Sequence, residues 1–230
     1  MHTGSELLET WIPDGGFEIV KRKLKTGDGG SAVADCLVAK WPDDELARDL
    51  PCARQPCLHR IFADCPPADE RILSLAGRYG LLTVSIPRTP ATGRVVKADA
   101  LPPEPVEIWR KEIQALRAGT ELWDSIAGQE SKTAREQLNH KIAEHMARTP
   151  FHLKISGQSF HYCPPTLRAA LWQRFAAEVA GLIHPARCAA PNCGRWFLRS
   201  AARSDKRFCS NACKNRVFRR KRNPKAAKTH

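Results

Sequence analysis

Four cysteines near the C-terminus constrain the fold of this chain more than any other feature of its sequence. Cys188 and Cys193 form one close pair, Cys209 and Cys213 form a second, and fifteen residues separate the two pairs. A tetrahedral four-cysteine zinc site needs this arrangement, because each pair supplies one edge of the tetrahedron. The spacing therefore predicts one structural Zn²⁺ ion, bound by these four thiolates.

The charge of the chain is concentrated around the same cysteines. Residues 187–230 contain 14 Lys and Arg but a single acid, Asp205, which gives a balance of +13. The whole chain also carries +13, so the 23 basic and 23 acidic side chains of residues 1–186 cancel. Such asymmetry predicts a polyanionic partner for the C-terminal region.

Composition limits the class of protein. A chain of 230 residues with 42% hydrophobic residues can bury a substantial core. We expect neither export nor a membrane span, because no leader-like segment opens the sequence and no apolar run reaches about 18 residues. Nine cysteines without a secretion signal favour thiols or metal ligands over disulfides, which predicts a cytoplasmic, nucleoid-associated protein.

Periodicity predicts a mainly helical body with a small β component. Residues 17–26 are predicted to form a strand that ends in the turn Asp28–Gly30. A helix is predicted from Asp69, as its N-cap, to Gly80, as its stop. Five prolines in residues 87–105 predict a loop or linker.

Two amphipathic helices, a hairpin and a third helix are predicted after this loop. The first helix has an apolar stripe from Ile108 to Trp123, with Arg110, Lys111, Glu112 and Arg117 facing elsewhere; the second repeats apolar residues every four positions from Ala134 to Met146. We expect these two helices to pack antiparallel. Alternation in residues 151–162 predicts a hairpin, and a helix capped by Thr166 is predicted to continue to Leu182 and to end at His184 and Pro185.

The residues between the cysteines support a small metal-built fold. Gly194 allows a tight turn after Cys193, and Trp196 and Phe197 can pack over the site. Either Ser210 or Asn211 can cap a helix that begins at the second cysteine pair. A knuckle followed by ligands at a helix start predicts a treble-clef-like finger.

The resulting fold class is α+β, with a predominantly α-helical body and a C-terminal treble-clef-like four-cysteine zinc finger. The predicted domains are a body over residues 1–183, a zinc finger with a basic helix over 184–222, and a disordered basic tail over 223–230. Four protein ligands would close the zinc site, so the metal is expected to be structural.

The finger resembles the CGNR zinc finger family, bacterial proteins proposed to regulate transcription. The resemblance rests on Cys188-x4-Cys193-Gly194-x-Trp196-Phe197 and on Arg207-Phe208-Cys209-Ser210-x-x-Cys213-x-Asn215-Arg216, and it covers about the last 45 residues. The chain departs from the family at the position of the family's glycine, where it has Lys214. The resemblance implies a zinc-dependent DNA-binding regulator.

Basic side chains surround the predicted zinc site and continue along the helix after it. Guanidinium groups bind phosphates bidentately or read guanine edges, and a helix fits the major groove. Val217 and Phe218 are expected to give this helix its inward face. The candidate nucleic-acid-binding residues are Arg195, Arg199, Arg203, Lys206, Arg207, Lys214, Arg216, Arg219, Arg220, Lys221 and Arg222.

Weaker motifs leave several alternatives open. Cys36, Cys52, Cys57 and Cys65 either form a second metal site or are buried thiols, and we favour the thiols. Cys163 is expected to pack within the hairpin, and His140 and His145 are expected at the surface. The segment 27–32 loosely matches a dinucleotide-binding fingerprint, but the basic segment before it argues against that reading.

Function is therefore predicted to be binding and not catalysis. No nucleophile elbow, phosphate-binding P-loop or paired-carboxylate constellation is evident. The first hypothesis is a transcriptional regulator that contacts double-stranded DNA through the finger. Because one finger offers little specific area, such a regulator would need to form a homodimer or make a second contact. The alternatives are an RNA-binding or ribosome-associated zinc protein and a zinc-stabilised protein-interaction module. Exposure of Trp196 and Phe197 would favour RNA.

Overall fold

The computed structural model describes residues 10–13, 15–41, 46–49, 55–84, 101–126, 131–147, 152–156, 159–200 and 203–222. It divides into two compact units, Met1–Phe175, here called the body, and Ala176–His230. Within the second unit we call residues 184–222 the finger. The predicted boundary between residues 183 and 184 and the predicted tail over 223–230 stay predictions, and the tail lies outside the described residues.

The described elements mix helices and strands, which confirms the broad fold class. The strands are β1 (Thr10–Pro13), β2 (Phe17–Lys25), β3 (Ser31–Ala39), β4 (Leu46–Asp49), β5 (Glu104–Pro105), β6 (His152–Ser156), β7 (Ser159–Cys163), β8 (His184–Arg187) and β9 (Trp196–Arg199). The helices are α1 (Leu58–Asp64), α2 (Asp69–Tyr79), α3 (Val106–Ile126), α4 (Lys132–Ala147), α5 (Leu167–Val179) and α6 (Asn211–Arg222).

An antiparallel hairpin opens the body. The predicted strand is confirmed as β2, and the turn after it leads into β3, which pairs with β2 along its whole length from Phe17 opposite Ala39 to Lys25 opposite Ser31. Asp28 shapes the turn by accepting a hydrogen bond from the Gly30 amide at 3.1 Å. Because a strand and not a helix follows the glycines, the segment does not have the strand–turn–helix geometry of a dinucleotide site.

The core of the body forms where α1 and α2 meet the long helix α3. Phe62 is fully buried, with its ring centroid 5.9 Å from those of Tyr79 and Trp109. Burying such side chains stabilises a fold by roughly 1.5–3 kcal/mol each. α2 was predicted, and its end at Gly80 is confirmed by a φ of 80°. Its predicted N-cap was wrong, because Ala68 occupies that position and Asp69 begins the helix.

A buried carboxylate joins the loop after α2 to the start of α3. Glu104 is 2% exposed and accepts hydrogen bonds from the backbone amides of Leu82 (2.9 Å) and Thr83 (2.7 Å) and from Trp109 Nε1 (2.5 Å). This residue lies at the end of the predicted linker 87–105, where β5 instead pairs with β3. The rest of that predicted linker, up to residue 100, lies outside the described residues.

Two charged residues of α3 do not face away from the core as the stripe predicted. Glu112 is 2% exposed, and Arg117 donates to the carbonyl oxygens of Ala63 (2.9 Å) and Cys65 (2.7 Å). These carbonyls lie at the C-terminal end of α1, where a helix leaves its last acceptors without partners. Arg117 therefore turns towards α1 because it satisfies backbone groups that the sequence pattern does not display.

The later elements of the body follow the predicted order. α4 packs on α3 and buries Leu138 and Ile142, and the predicted hairpin is confirmed as β6 and β7. Side chains of the hairpin, including that of Cys163, lie outside the described residues. His140 is exposed as expected, but the ring of His145 stacks at 3.8 Å on that of Trp172.

Helix α5 ends earlier than predicted. Thr166 caps it as expected, with its hydroxyl accepting the Ala169 amide at 3.2 Å. The helix stops at Val179, because Gly181 adopts a φ of 72° and the Leu182 amide donates to Ala177 O at 2.8 Å, the pattern of a Schellman motif. Residues that were predicted to end the helix form β8 instead.

The remaining cysteines of the described residues differ in burial. Cys36 and Cys57 are buried thiols outside any disulfide, whereas Cys65 is partly exposed and Cys52 lies outside the described residues. Of the helices in the described ranges, none combines the length and the apolar character that crossing a bilayer requires.

Candidate metal centre

The first cysteine pair lies in the loop of a short hairpin. β8 pairs antiparallel with β9, and Cys188 directly follows β8. The Cys188 amide donates to Arg195 O at 2.9 Å, which closes the loop, and the Cys193 amide donates to Ala190 O at 3.2 Å. The loop therefore turns back on itself and carries Cys193 towards Cys188.

Two residues with positive φ make this turn possible. Gly194 has a φ of 59°, as its position after Cys193 predicted. Asn192 has the same φ and was not singled out from the sequence, although Pro191-Asn192 is a common turn dipeptide. Asparagine tolerates the left-handed region better than most residues, so both sides of Cys193 are fitted to the tight turn.

The second cysteine pair lies at the N-terminus of α6. Ser210 is the cap, because its hydroxyl oxygen accepts a hydrogen bond from the Cys213 amide at 3.3 Å. The sequence left Ser210 and Asn211 as alternatives, and Asn211 is the first residue of the helix. Cys209 thus precedes the cap while Cys213 lies in the first turn, so the serine positions both thiols.

The four sulfur atoms lie within 4.8 Å of one another and are the one group in the described ranges that can hold a metal ion. Cys193 Sγ lies 3.7 Å from Cys209 Sγ and 3.6 Å from Cys213 Sγ, and the latter two are 3.6 Å apart. A tetrahedral zinc site with Zn–S bonds of about 2.3 Å has sulfur–sulfur edges of about 3.8 Å. The three measured edges therefore match a tetrahedral ion, and Cys188 Sγ lies within 4.8 Å of the other three sulfurs.

The electrostatics of the cluster distinguish its thiols. Burial raises the pKa of Cys188, but the Cys209 and Ala190 amides donate to its sulfur, the former at 3.4 Å, and lower the pKa to about 7. Burial and hydrogen bonds to the other three sulfurs instead raise the pKa of Cys209 to about 12. Cys188 is therefore biased towards the thiolate, whereas Cys209 needs a cation beside it to ionise.

A small apolar cluster surrounds the sulfurs. Ala186, Ala190 and Phe197 are buried together with Cys188 and Cys213, and Phe208 and Val217 pack against them. Phe197 therefore packs by the site as predicted, whereas Trp196 is half-buried with the Arg187 guanidinium 5.6 Å from its ring. The expectation for Phe218 was wrong, since half of its surface is exposed.

The predicted nucleic-acid-binding residues are solvent-exposed wherever the structure describes their side chains. These are Arg195, Arg199, Arg203, Lys206, Arg207, Lys214, Arg216 and Arg219. The remaining three, Arg220, Lys221 and Arg222, belong to α6, and their side chains lie outside the described residues. Four of the exposed residues, Arg203, Lys206, Arg207 and Lys214, line a common cavity, which sequence spacing did not predict.

Comparison with known proteins adds no assignment. Models of known families, curated proteins and solved structures give no match to this chain.

Proposed function

We propose that this chain is a zinc-dependent DNA-binding protein of the CGNR type, and that it acts as a transcriptional regulator in the bacterial cytoplasm, associated with the nucleoid. The observation that carries the proposal is the four-thiol cluster at tetrahedral spacing, placed within the most basic segment of the chain. Its function would be binding and not catalysis.

The donor set favours zinc over other metals. Four thiolates at tetrahedral spacing are typical of Zn²⁺ or of iron–sulfur chemistry, and isolated Cys₄ knuckles in small fingers favour a single zinc ion. When bound, the ion would join the β8–β9 hairpin to α6 as a treble-clef-like unit. Four protein ligands leave no open coordination position, which supports a structural role.

The CGNR resemblance supports the proposal through the residues that surround the ligands. Gly194 has the positive φ, Phe197 packs beside the sulfurs, and Ser210 caps the helix, so each shared residue has a physical task. Lys214, which replaces the family's glycine, is exposed and lines the basic cavity. Its substitution therefore adds a cation where an anion would bind.

Charge and exposure support duplex DNA as the partner. Exposed arginines of α6, such as Arg216 and Arg219, suit phosphate contact or guanine readout in the major groove. If about six cations meet phosphates, the logarithm of affinity should fall with the logarithm of salt at a slope of roughly −5. A homodimer would supply the second half-site that one small finger needs for specificity.

RNA is the second candidate, and Phe218 is the observation that favours it. Its ring is half exposed on the basic helix, with Lys214 Nζ 6.0 Å from the ring centroid. An exposed aromatic beside cations can stack on an unpaired base. Against this, Phe197 is buried and Trp196 is half covered, so the two aromatics whose exposure was to favour RNA are poor platforms.

A selection experiment tests the proposal. The zinc-loaded full chain is incubated with a pool of random duplex DNA at physiological salt, with excess RNA as competitor. Enrichment of a motif supports a sequence-reading regulator, and half-site spacing reveals its symmetry. Binding that RNA abolishes favours the second candidate. If joint substitution of Arg216, Arg219 and Arg220 by alanine left nucleic-acid binding undiminished, the protein-interaction module would be the remaining candidate function.

A further inference from the structure

A basic cavity of about 540 Å³ lies on the finger beside the second cysteine pair. Its charged lining residues are Arg203, Lys206, Arg207, Lys214 and Asp205, which gives it a net charge of +3. Cavities of about 300–1,000 Å³ hold small ligands, so the space admits a phosphate together with the sugar attached to it. The chemistry of the lining selects an anion.

The loop that carries three of these cations is held by backbone hydrogen bonds. The Arg203 amide donates to Ser200 O at 2.9 Å, and the Lys206 amide donates to Arg203 O at 3.2 Å. Arg207 O accepts the amide of Ala189, a residue of the metal-binding loop, at 2.9 Å. The cations therefore extend from a fixed backbone and lose less conformational entropy on binding than those of an unstructured tail.

Aromatic rings hold the two lysines of the cavity. Lys206 Nζ lies 5.3 Å from the centroid of Phe197, which is buried beside the sulfurs, and Lys214 Nζ lies 6.0 Å from that of Phe218. Such contacts contribute about 0.5–1 kcal/mol at exposed sites and restrict where an ammonium group points. Both lysines that line the cavity therefore have an aromatic ring beside the ammonium group.

The neutral part of the lining adds hydrogen-bonding groups. Ser210 and Asn211 are exposed and line the same cavity. The Ser210 oxygen accepts the Cys213 amide and also lies 4.0 Å from Cys209 Sγ, so this hydroxyl is already engaged at the cysteine pair. A phosphate oxygen could therefore receive hydrogen bonds from the Asn211 amide and from guanidinium and ammonium donors within one cavity.

We propose that this cavity binds one phosphodiester group of the DNA backbone, with its four cations converging on that single phosphate. The inference rests on the proposed function, because it describes how the finger binds the DNA backbone. Arginine pairs bidentately with phosphate oxygens and lysine supplies a point charge, so the mixed lining suits a tetrahedral anion. The cavity fixes the register of the finger on the backbone and reads no sequence.

Convergence of the four cations on one phosphate would change how DNA affinity depends on salt. The salt slope counts the phosphates that a protein neutralises, at about 0.9 per phosphate, and not the cations that it contains. Removing all four cavity cations should therefore lower the magnitude of the slope by only about one. If each cation met its own phosphate, the loss would be about four.

The test uses the full zinc-loaded chain and a short DNA duplex of fixed sequence. The cavity variant replaces Arg203, Lys206, Arg207 and Lys214 by alanine, and a matched control replaces Arg195, Arg199, Arg216 and Arg219, which are exposed and do not line the cavity. We expect weaker binding and a slope loss of about one in the cavity variant. A slope loss of three to four or an unchanged affinity in the cavity variant would overturn the inference. The control removes arginines that are themselves proposed to contact DNA, so it also loses affinity, and only the slope separates the two variants.

A second probe separates the cavity from the proposed function. Deoxythymidine 3′,5′-bisphosphate is titrated into the ¹⁵N-labelled chain, and the amide signals of residues 206–214 are followed. We expect saturable shifts that the cavity variant loses and the control keeps; non-saturable shifts or none overturn the cavity. A chain that binds the bisphosphate but shows no salt-dependent duplex binding retains the cavity and loses the proposed DNA function. Zinc content is measured for both variants to confirm that they fold.

Discussion

The body and the finger reach an ordered structure by different means. The body buries large aromatic side chains against one another, among them Phe62, Trp109 and Trp172, each without measurable exposure. The finger buries Phe197 as the one large aromatic side chain in its cluster, and four of the residues in and around that cluster are cysteines. Apolar area stabilises the first region, and the proposed metal would stabilise the second through its four sulfur ligands.

The small size of the second region gives a physical reason for the proposed metal. A segment below about 40 residues rarely folds alone without disulfides, metals or oligomerisation, because too little of its surface can be buried. Residues 184–222 are at that limit, and their helix α6 is dominated by basic side chains that repel one another. The two regions should therefore respond to different perturbations, and four experiments can break or sharpen the contrast.

The largest effect is expected from Cys209→Ser. Losing one of four ligands should abolish tight zinc binding and unfold the finger, because structural zinc supplies apparent binding free energies of about 10–16 kcal/mol in finger peptides. Zinc content measured by atomic absorption and amide hydrogen exchange of residues 184–222 check this. Most of the helical circular dichroism signal of the body should remain.

Cys65→Ser is the matched control for this substitution. Cys65 is a partly exposed thiol of the body and lies outside the sulfur cluster. We expect unchanged zinc content and finger protection. If the Cys209 variant kept its zinc, or if the body unfolded with the finger, the contrast between the two regions would be wrong.

Phe62→Ala should produce the converse result. Removing a buried phenylalanine from a packed core costs roughly 3–5 kcal/mol, and the rings of Tyr79 and Trp109 lose their contact partner. We expect a fall of that size in the free energy of unfolding of the body by urea denaturation, with one zinc ion still bound. Phe218→Ala makes the same change at a half-exposed site. It should shift the free energy of unfolding by no more than about 0.5 kcal/mol.

Acid should act on the two regions in opposite directions. Burial raises the pKa of Glu112 in the body, despite a hydrogen bond from Trp172 and the Arg168 guanidinium, whose Nε lies 2.8 Å from the carboxylate. A raised folded-state pKa adds stability that is complete below the unfolded pKa and is lost as pH rises through the folded pKa. In the finger, protonation of thiolates releases metal as pH falls.

Glu112→Gln isolates the contribution of the body. The stability of the natural chain relative to this permanently neutral variant should decrease as pH rises from below 4.5, the ordinary pKa of the group, towards neutrality. Urea unfolding followed by tryptophan fluorescence, repeated across pH, measures the difference. His145 Nδ1 lies 3.6 Å from the same carboxylate, so His145→Gln serves as a second variant that removes the imidazole. A difference that is flat or rises with pH would contradict the raised pKa.

The features of the finger and of the body also differ in how well they could be predicted from the sequence. The four-cysteine cluster could be predicted because its members form two pairs that are close in sequence and their chemistry is specific. Apolar periodicity located α2, α3, α4 and the β6–β7 hairpin. The buried Glu104 and Glu112 were missed because their partners are distant in sequence or are backbone groups. The cavity was missed because it depends on how the loop and α6 converge, which charge counting does not reveal.

The smallest effect is expected from Ser210→Ala. Loss of an N-cap hydroxyl costs about 1 kcal/mol, and here it removes the acceptor for the Cys213 amide. Because this cap orients the first turn of α6 between two ligands, zinc affinity should fall by roughly fivefold while zinc still binds. Competition with a chromophoric chelator measures the affinity, and Ser204→Ala, at an exposed position of the neighbouring loop, is the control. A loss in the control as large as that in the variant would show that the finger tolerates substitution poorly everywhere; an unchanged Ser210 variant would show that metal ligation alone sets the start of α6. We expect a result between these two, in which the loss of the cap weakens zinc binding without abolishing it. The cap would then contribute to metal affinity in the finger, whereas in the body a cap would only adjust the stability of a core that forms without it.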